Sequence, residues 1–446
     1  MTSRLQSPPS RPPLTAWKIS RRIPRARTRN GTERRSAMNE LPYLTSDLPG
    51  IDGRIKQYAE DFRVDELPLY DPCGEGTHVY FRIEKRGIPT LVAVNRIARH
   101  MGVRASDIGA AGMKDARAIT TQTLSLEHAD AEKLAAYTDH QLRVVWTGRH
   151  TNKLRTGHLA GNDFHIRIRG AGGAELEPAQ AVLDVLSSRG VPNYFGAQRF
   201  GARGDTAALG EALIRNNLDE FIAIFLGRPL DDDPPDCKGA RDAFDIGSLD
   251  RAMKRWPRHY ADQRKALAAY KKKHRPGAAV AAIDKRMKRL YVSAFQSAIF
   301  NEILARRIDS MDRVFVGDLA KKTSTGGIFV VEDVDTEQQR ADEFEISPTG
   351  PLPGYRCGLA EGRPGQIERD VLAERGVDTE QLRRTGTLKV KGTRRALRFA
   401  LSNPRLSAGA DKHGEYIELA FGAPSGCYAT VAVEEILKNR PPRPRT

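Results

Sequence analysis

The 446-residue sequence has few cysteines and no long apolar run. Its four cysteines lie far apart, with no C-x-x-C pair and no histidine at metal-ligand spacing, so we expect neither a disulfide framework nor a metal site. Isolated reduced thiols are typical of the cytoplasm, which is the location we predict. No stretch approaches the roughly 18 uninterrupted apolar residues of a membrane helix, which argues against an integral membrane protein.

What the sequence does have is apolar residues for a core and an excess of positive charge. Apolar residues make up 39% and charged residues 29% of the chain, as in globular proteins. The length predicts two or three domains, because one core rarely grows beyond about 250–300 residues. The net charge of +16 favours an acidic partner, most often a nucleic acid.

Two segments carry this positive charge. Residues 1–37 contain ten Lys and Arg against one acid, and residues 251–289 contain fourteen against two. Their net charges are +9 and +12, which leaves the rest of the chain at −5. Most of the protein is therefore mildly acidic.

Residues 1–37 are rich in Arg, Ser and Pro and lack apolar periodicity, so we expect a disordered tail that is not a secretory signal. Three explanations remain open: an RNA-attracting tail, an organellar transit peptide, or a translation start placed upstream of the true one at Met38. A misplaced start or a dispensable tail is favoured, since blocks of like charge are commonly solvated.

Segment 251–289 has a helical pattern in which Trp256, Tyr260 and Tyr270 are interleaved with cations. Such cations can neutralise phosphates, and the rings can stack on bases. The alternative is a solvated helix face whose aromatic residues turn into the core. On this segment alone, both interpretations remain open.

Most of the remaining sequence alternates between strand and helix patterns, which predicts an α/β (α+β) fold. Residues 78–85 predict a strand with one buried face, and residues 89–102 predict a helix. The residues expected to face the core are Val79, Phe81 and Ile83 in the strand and Leu91, Val94, Ile97 and Met101 in the helix. Further strands are expected at 164–170 and 415–422, helices at about 178–189, 205–217, 284–308 and 428–437, and a surface loop at 231–236.

Residues 108–126 pass from a short apolar stretch through a glycine turn to a threonine-rich strand pattern. Gly109 and Gly112 would allow a turn that presents Asp115 at the mouth of a sheet. A carboxylate held there beside a cation such as Lys114 would stay ionised and could act as a nucleophile or a base. The alternative, a helix cap or a surface ion pair, is more common for an isolated Lys-Asp pair.

Two further segments combine glycine with polar and aromatic residues. In residues 190–205, Arg199 could hold a phosphate or a carboxylate, although a packed corner between domains explains the composition equally well. In residues 151–168, Asn162 could contact a base edge, and Phe164 could belong to the core or serve as a stacking platform.

Several of these segments, in this order, resemble the TruD family of tRNA pseudouridine synthases. The resemblance is carried by GMKDARAITTQ (112–122), NYFGAQRFG (193–201) and RLYVSAFQSAIFN (289–301). It extends from about residue 50 to residue 438, and the other similar segments are 55–66, 152–164, 347–354 and 424–437.

This resemblance implies an isomerase that converts uridine to pseudouridine in tRNA, expected at position 13 in the D arm. The C1′–N1 bond breaks, the bound uracil rotates, and a C1′–C5 bond forms without redox change, so no cofactor is expected. Asp115 matches the family's catalytic aspartate, and the target base must leave its stack to reach it. A non-catalytic RNA-binding protein of the same fold is the alternative.

The resemblance also implies roles for five residues around the aspartate. Phe62, Asn162 and Tyr428 match base and nucleotide contacts, Phe164 is expected to pack on the uracil, and Lys56 is the candidate ion-pair partner. Tyr428 stands where the family commonly has phenylalanine, and a buried hydroxyl there would need a partner or water.

Family organisation further implies a discontinuous catalytic domain. Residues 48–190 and 390–438 would form a pseudouridine synthase domain with a mixed sheet, interrupted by a large α/β insertion, the TRUD domain, at residues 193–386. The flanking residues 1–47 and 439–446 would be tails. A monomer without an obligate protein partner is the simplest expectation.

In this arrangement the basic segment 251–289 belongs to the insertion. We therefore expect it to contact the tRNA backbone. The candidate backbone contacts are Arg199, Lys271, Lys272 and Lys273.

Overall fold

The structure, a computed structural model, describes residues 41–378, 382 and 390–438. Most of the predicted N-terminal tail and all of the predicted tail at 439–446 lie outside these residues. Within the described ranges, none of the helices has both the length and the apolar character needed to span a bilayer.

The first part of the chain supplies most strands of one large sheet and the helices that pack on it. Its elements are β1 (Phe62–Pro68), β2 (His78–Arg86), α1 (Thr90–Met101), β3 (Gly109–Ala110), β4 (Ile119–Glu127), α2 (Ala131–Ala135), β5 (Leu142–His150), β6 (Leu159–Arg169), α3 (Leu176–Arg189) and β7 (Val191–Pro192).

The middle of the chain begins with a run of helices and ends in short strands and two more helices. Its elements are α4 (Thr206–Ile214), α5 (Leu218–Leu226), α6 (Pro235–Asp245), α7 (Leu249–Arg255), α8 (Ala261–Lys273), α9 (Pro276–Ala281), α10 (Lys285–Arg306), β8 (Leu319–Lys322), β9 (Ile328–Val330), α11 (Val334–Asp342), β10 (Ile346–Leu352) and α12 (Gly362–Glu374).

The last part of the chain returns to the large sheet. Its elements are β11 (Thr393–Ala396), β12 (Arg398–Phe399), β13 (Ser402–Asp411), β14 (Gly414–Pro424) and α13 (Ala429–Leu437).

The large sheet has the strand order β13–β14–β6–β1–β4–β2–β5, with β3 paired to β4. Strands β1 and β4 run parallel, whereas the other neighbouring pairs are antiparallel. The predicted α/β class and mixed sheet are confirmed. Because β14 pairs with β6, the end of the chain completes the sheet that its first strands begin.

Pairing register shows which side chains share one face of this sheet, because directly paired residues project to the same side. Lys85 pairs with Thr120, Thr120 with Val64, Val64 with Phe164, and Phe164 with Phe421. A single row therefore crosses five strands, from β2 to β14. We refer to this side as the site face.

Helix α1 covers the β2 end of the site face. Val79, Phe81 and Ile83 pack against buried α1 residues, as predicted. Leu91, predicted to face the core, is instead 62% exposed, because Ala93 and the residues one turn further on make the contact with the sheet.

The other face of β2 is also covered, which the alternating pattern did not predict. His78 and Tyr80 are buried there. Tyr80 packs with Leu154, and Tyr70 and Trp146 lie against the same cluster. The expectation that β2 has one solvent-facing side is therefore wrong.

Helices α4 to α10 enclose a core of their own, to which the aromatic residues of segment 251–289 belong. Trp256 is only 1% exposed, and Tyr260 and Tyr270 pack against the same core. Of the two interpretations left open, inward packing is the one that the structure shows: Trp256 is not available for stacking on bases, and the two tyrosines are partly buried.

The acidic stretch 231–236 is only partly a surface loop. Asp233 is buried and pairs with Arg203 and Arg241, and Pro235 begins α6. The prediction of a surface loop is wrong for Asp233, because the buried Arg241 requires a counter-charge. Pro235 and Asp236 are exposed, but they belong to a helix.

A second, four-stranded sheet has the order β11–β10–β8–β9. Strand β11, expected in the second catalytic segment, pairs with β10, and β12 pairs with β7. The chain rejoins the large sheet only at β13, from Ser402. The return is therefore later than the boundary predicted at residue 390.

Residues 41–47, expected in the N-terminal tail, are instead attached to α13. The backbone N–H groups of Leu44 and Thr45 donate to the Glu435 carboxylate at 3.0 and 3.1 Å, and Thr45 Oγ1 donates to it at 2.7 Å. Thr45 and Glu435 are almost fully buried. The predicted tail therefore extends too far into the chain.

Removal of this carboxylate should destabilise the fold. We expect Glu435→Ala to lower the free energy of unfolding by about 2–4 kcal/mol, because two buried N–H groups and a hydroxyl lose their acceptor. Urea unfolding measures the change. The control is Glu332→Ala, at an exposed glutamate, which should change stability by less than about 0.5 kcal/mol. Equal stability of the two variants would contradict this prediction.

Candidate active site

Asp115 lies in the connection between β3 and β4, beside the site face. The predicted reason for this placement is wrong, since neither Gly109 nor Gly112 has a left-handed backbone. Gly109 is needed for close approach, because a Cβ atom there would lie 2.4 Å from the Leu154 carbonyl oxygen. Around Gly112 there is open space.

Side chains of α1 and β4 hold the loop between β3 and β4 in place. Lys114 N donates to Thr90 Oγ1 at 2.9 Å, and Thr90 Oγ1 donates to Gln122 Oε1 at 2.8 Å. Thr90 and Gln122 are both buried. The backbone next to Asp115 is thus attached to the rigid elements on either side of it.

Lys85, on β2, holds the main chain of Asp115 itself. Its side chain is fully buried, and Nζ donates to the carbonyl oxygens of Asp115 at 2.6 Å and Ile88 at 2.8 Å. Burial lowers the pKa of Lys85 to about 8, with the charge of Asp115 acting in the opposite direction. A buried cation therefore lies directly beneath the aspartate.

Lys56 contacts the side chain of Asp115, whereas Lys85 binds its main chain. Its ammonium group forms an ion pair with Asp115 Oδ2 and lies 4.1 Å from the centroid of the Phe62 ring. The Lys56 backbone is left-handed, with a φ of 59°, which is uncommon outside glycine. Such a conformation persists only where neighbouring contacts stabilise it, and here it allows Lys56 to form the ion pair with Asp115.

The segment that carries Lys56 is anchored on both sides. Arg54 N donates to the Arg169 carbonyl at 2.9 Å, and Ile51 N donates to the Ile436 carbonyl at 3.0 Å. The first bond joins the segment to the end of β6 and the second joins it to α13. Two structural elements that are distant in sequence therefore set the position of Lys56.

These contacts lower the pKa of Asp115 below its ordinary value. Burial alone would raise it, but the hydrogen bond and charge of Lys56, the Arg117 N–H and the charge of Lys85 outweigh this effect. The Arg117 N–H donates to Asp115 Oδ1 at 3.0 Å. Asp115 is therefore an ionised, half-buried carboxylate at neutral pH.

Lys114 does not pair with its neighbour Asp115, although the sequence suggested this. Its ammonium group is buried, lies 3.0 Å from Glu66 Oε2 and donates to Asn162 Oδ1. Burial lowers the pKa of Lys114, while Glu66 opposes this shift. Glu66, itself 1% exposed, lies directly opposite Asn162 in the pairing of β1 with β6.

Three phenylalanine rings line the site face beside these charges. Phe62 and Phe164 meet edge to face at 6.3 Å between centroids, and Phe164 stacks on Phe421 at 5.4 Å. All three are mostly buried. Together they form an apolar floor next to the Lys56–Asp115 ion pair.

Tyr428 lies at the start of α13 and makes its ring contact elsewhere. Its ring is 5.9 Å from that of Phe195, and a Cβ atom on Gly196 would lie 3.0 Å from it. Tyr428 is partly exposed. The structure does not bring this ring onto Phe62 or Phe164.

The segment around Arg199 is a packed corner in the structure. Arg199 Nε donates to Ser297 Oγ at 3.1 Å, and its other end donates to Ser293. Asn301, also on α10, accepts from the N–H of Phe195 and donates to its carbonyl oxygen. Of the two explanations for this segment, these contacts favour packing.

The structure thus brings Lys56, Asp115, Phe62 and Phe164 into contact and links Asn162 to the same loop through Lys114. Sequence reasoning missed Lys85. A signal was present, because Lys85 continues the alternation of the buried β2 face, and a charged residue at such a position is usually functional or paired.

The chemistry available here is that of one ionised carboxylate in a mostly dry site. It can attack an electrophilic carbon or take a proton, next to an apolar floor that accepts a flat ring. Within the described ranges, no group of three or more His, Cys, Asp or Glu side chains could hold a metal ion.

Comparison with known proteins points to one family. A family model described as tRNA pseudouridine synthase D (TruD) matches residues 38–436. The tRNA pseudouridine synthase D of Geobacter metallireducens is 43% identical over 406 residues, which are 90% of this chain and 99% of the relative. That of Anaeromyxobacter dehalogenans is 37% identical over 403 residues, which are 90% and 97% of the two chains.

A solved structure is also similar. It is the crystal structure of a candidate tRNA pseudouridine synthase D from Methanosarcina mazei, with a TM-score of 0.78 and 29% sequence identity. The match covers 90% of this chain and 97% of the other.

We expect Lys56→Met to raise the pKa of Asp115, because it removes the hydrogen bond and the charge that lower this pKa most. NMR titration of the aspartate carboxyl groups measures the shift, with Asp115→Asn used to assign the signal. Lys133→Met, at an exposed position on α2, is the matched control and should leave the pKa of Asp115 unchanged. A titration curve that is the same in both variants would contradict the proposed electrostatic effect.

Proposed function

The chain belongs to the TruD family of tRNA pseudouridine synthases, and on that premise we propose that it isomerises uridine to pseudouridine in tRNA with Asp115 as the catalytic carboxylate. The observation that carries this proposal is the environment of Asp115. This side chain is kept ionised by Lys56 at the edge of an aromatic floor. Attack at ribose C1′, or removal of the C2′ proton, needs a carboxylate in that state.

The two lysines around Asp115 have different tasks in this proposal. Lys56 keeps the carboxylate ionised and holds Oδ2 in a fixed position before the ribose arrives. Lys85 fixes the main chain, so that the carboxylate does not move when the substrate displaces water. Holding a reactive group in place before the substrate binds lowers the barrier, because no reorganisation is left to the reaction step.

The uracil ring would be bound on the floor formed by Phe62 and Phe164, with Asn162 at its polar edge. A flipped base is held by stacking and by hydrogen bonds to its edge. A dry slot also keeps the freed uracil from leaving before the C1′–C5 bond forms. Tyr428, whose ring packs with Phe195 rather than on this floor, would contact the nucleotide as the family resemblance implies.

The target would be uridine 13 in the D arm, a choice that rests on the family resemblance of the motifs around Asp115. The alternative, a non-catalytic RNA-binding protein of the same fold, has no need for an intact set of Asp115, Lys56, Phe62 and Asn162. All four are present and three of them are in direct contact. This favours an enzyme.

The domain division proposed here follows the two sheets. The catalytic domain comprises residues 48–190 together with the stretch from the start of β13 to residue 438, and the insertion lies between them. The sheet of the insertion includes β11, so the proposed insertion ends later than residue 386, the boundary predicted from the sequence. The chain from Leu41 onward nevertheless groups as one compact unit.

The basic surface of the insertion would contact the tRNA backbone. Lys271, Lys272 and Lys273 are exposed at the end of α8, and Lys271 pairs with Asp250 on α7. At the other end of α7 lies an open cleft of about 570 Å³. Its charged lining residues are Asp236, Lys254, Arg255, Arg258 and Arg264, so cations predominate there as well.

Asp115→Asn tests the catalytic assignment. We expect this variant to fold and to bind tRNA but to release no tritium from tRNA labelled at uridine C5, because the amide neither attacks nor accepts a proton. The control is Asp163→Asn, at the residue between Asn162 and Phe164 whose side chain faces away from the site face. Release by Asp115→Asn at the control's rate would overturn the assignment.

Charge reversal of Lys271, Lys272 and Lys273 to Glu tests the backbone contact. We expect tRNA affinity to fall about tenfold or more at low salt and its salt dependence to flatten, because fewer counterions are released on binding. The matched control reverses three exposed cations outside the segment, Arg99, Lys133 and Lys412. Circular dichroism checks that α8 remains folded. Equal affinities of the two triple variants would show that the segment is only solvated.

A further inference from the structure

The contact between Lys114 and Asn162 determines which end of the Asn162 amide faces the site. An ammonium group has three donors and no acceptor, whereas an amide has an oxygen that accepts and a nitrogen that donates. The amide atom that meets Lys114 must therefore be the oxygen, as it is in the structure. The NH₂ group is left for the other side.

Lys114 is itself held in place by a buried counter-charge. Glu66 Oε2 lies 3.0 Å from its ammonium group, and Glu66 Oε1 accepts from the Thr123 N–H at 2.9 Å. Exposed fractions are 1% for the Glu66 side chain and 6% for that of Lys114. Turning the Asn162 amide over would set its NH₂ group against a buried ammonium, which is strongly unfavourable.

Asn162 also has the right neighbours to meet a base. It lies on the same face of β6 as Phe164, two residues away, and Phe164 packs on Phe62 next to Asp115. The loop that carries the aspartate carries Lys114 as well. The amide is therefore at the edge of the apolar floor rather than at a remote position.

We infer that the Glu66–Lys114 pair locks Asn162 as a pure hydrogen-bond donor toward the substrate, and that this donor selects a base with a carbonyl at that edge. The inference rests on the proposed function, and it names two residues, Glu66 and Lys114, that act through Asn162. They are positioning residues. Asn162 is the residue that contacts the base.

A locked donor suits the isomerisation for a reason that lies in uracil itself. Rotation by a half turn about the N3–C6 axis exchanges N1 with C5 and O2 with O4. Whichever carbonyl faces Asn162 before the rotation, the other faces it afterwards. One fixed donor is therefore satisfied at the start and at the end, with no change in the protein.

Cytosine lacks this symmetry. It carries a carbonyl at C2 and an amino group at C4, and the amino group donates. In one of the two orientations, donor would face donor at Asn162. Leaving two donors opposed in a dry site is the kind of mismatch by which enzymes reject analogues most strongly.

Asn162→Asp tests the donor directly. Aspartate has nearly the same shape and keeps the bond to Lys114, but it presents an acceptor to the base. We expect tRNA affinity and melting temperature to stay near those of the parent protein, while single-turnover tritium release slows about 100-fold. Asn95→Asp, at an exposed position on α1, is the matched control. If Asn162 only served to hold Lys114, aspartate would do so at least as well, and an unchanged rate would overturn the inference.

The effect of the Glu66–Lys114 pair on the orientation of the Asn162 amide is tested with Lys114→Met combined with Glu66→Gln. This double variant removes both buried charges together. The probes are tRNA transcripts with uridine, pseudouridine, cytidine or pseudocytidine at the target position. Uridine and pseudouridine both present carbonyls, so the parent protein should bind these two within about threefold of each other. It should separate cytidine from pseudocytidine about tenfold, because one of them sets its amino group against Asn162.

In the double variant the amide is free to turn, and we expect the cytidine and pseudocytidine affinities to converge within about twofold. The convergence should come from a rise in affinity for the transcript that the parent protein binds less well, and a damaged fold does not produce such a gain. A separation that persists in the double variant, or that is absent in the parent protein, overturns the inference. Failure of the proposed function is distinguishable, since the parent protein itself would then release no tritium.

Discussion

The whole arrangement depends on keeping one half-buried carboxylate ionised and immobile beside an apolar floor. Burial works against this, because removing an ion from water is costly and raises the pKa of an acid. Two lysines offset the cost of burying the charge of Asp115. Lys56 pairs with its side chain, while the fully buried Lys85 binds its main-chain carbonyl. The unusual backbone of Lys56 and the burial of a second lysine are the costs of this arrangement.

The large sheet brings these groups together by pairing strands that are far apart in the sequence. β6 lies between β14, from the end of the chain, and β1, from its beginning, and β1 pairs in parallel with β4 on its other side. The row from Lys85 to Phe421 therefore brings residues from five strands to one side of the site. Two residues further along β1 and β6, on the same face, lie Glu66 and Asn162. Several polar residues buried on this face are paired with one another, among them Thr90 with Gln122 and Glu66 with Lys114. These pairs hold the loop of Asp115 and the amide of Asn162 in place.

The sequence predicted the class of fold, many of the helices, a few of the strands and the loop of Asp115, because these depend on periodicity and on motifs that are local in the chain. It failed where burial is decided by a distant segment. The covered second face of β2, the inward-turned Trp256 and the attachment of Thr45 to Glu435 all depend on partners that alternation cannot reveal. The role of Lys114 was also beyond reach. Its neighbour in the chain is Asp115, but its partners in space lie on β1 and β6.

The most direct test of the central claim is pseudouridine mapping of total RNA from cells that lack this protein, compared with cells that have it. We expect one pseudouridine to disappear, at position 13 of the tRNAs that carry it, and to return when the gene for the intact chain is restored. An identical pseudouridine profile in the two strains would contradict the claim that this chain isomerises uridine in tRNA.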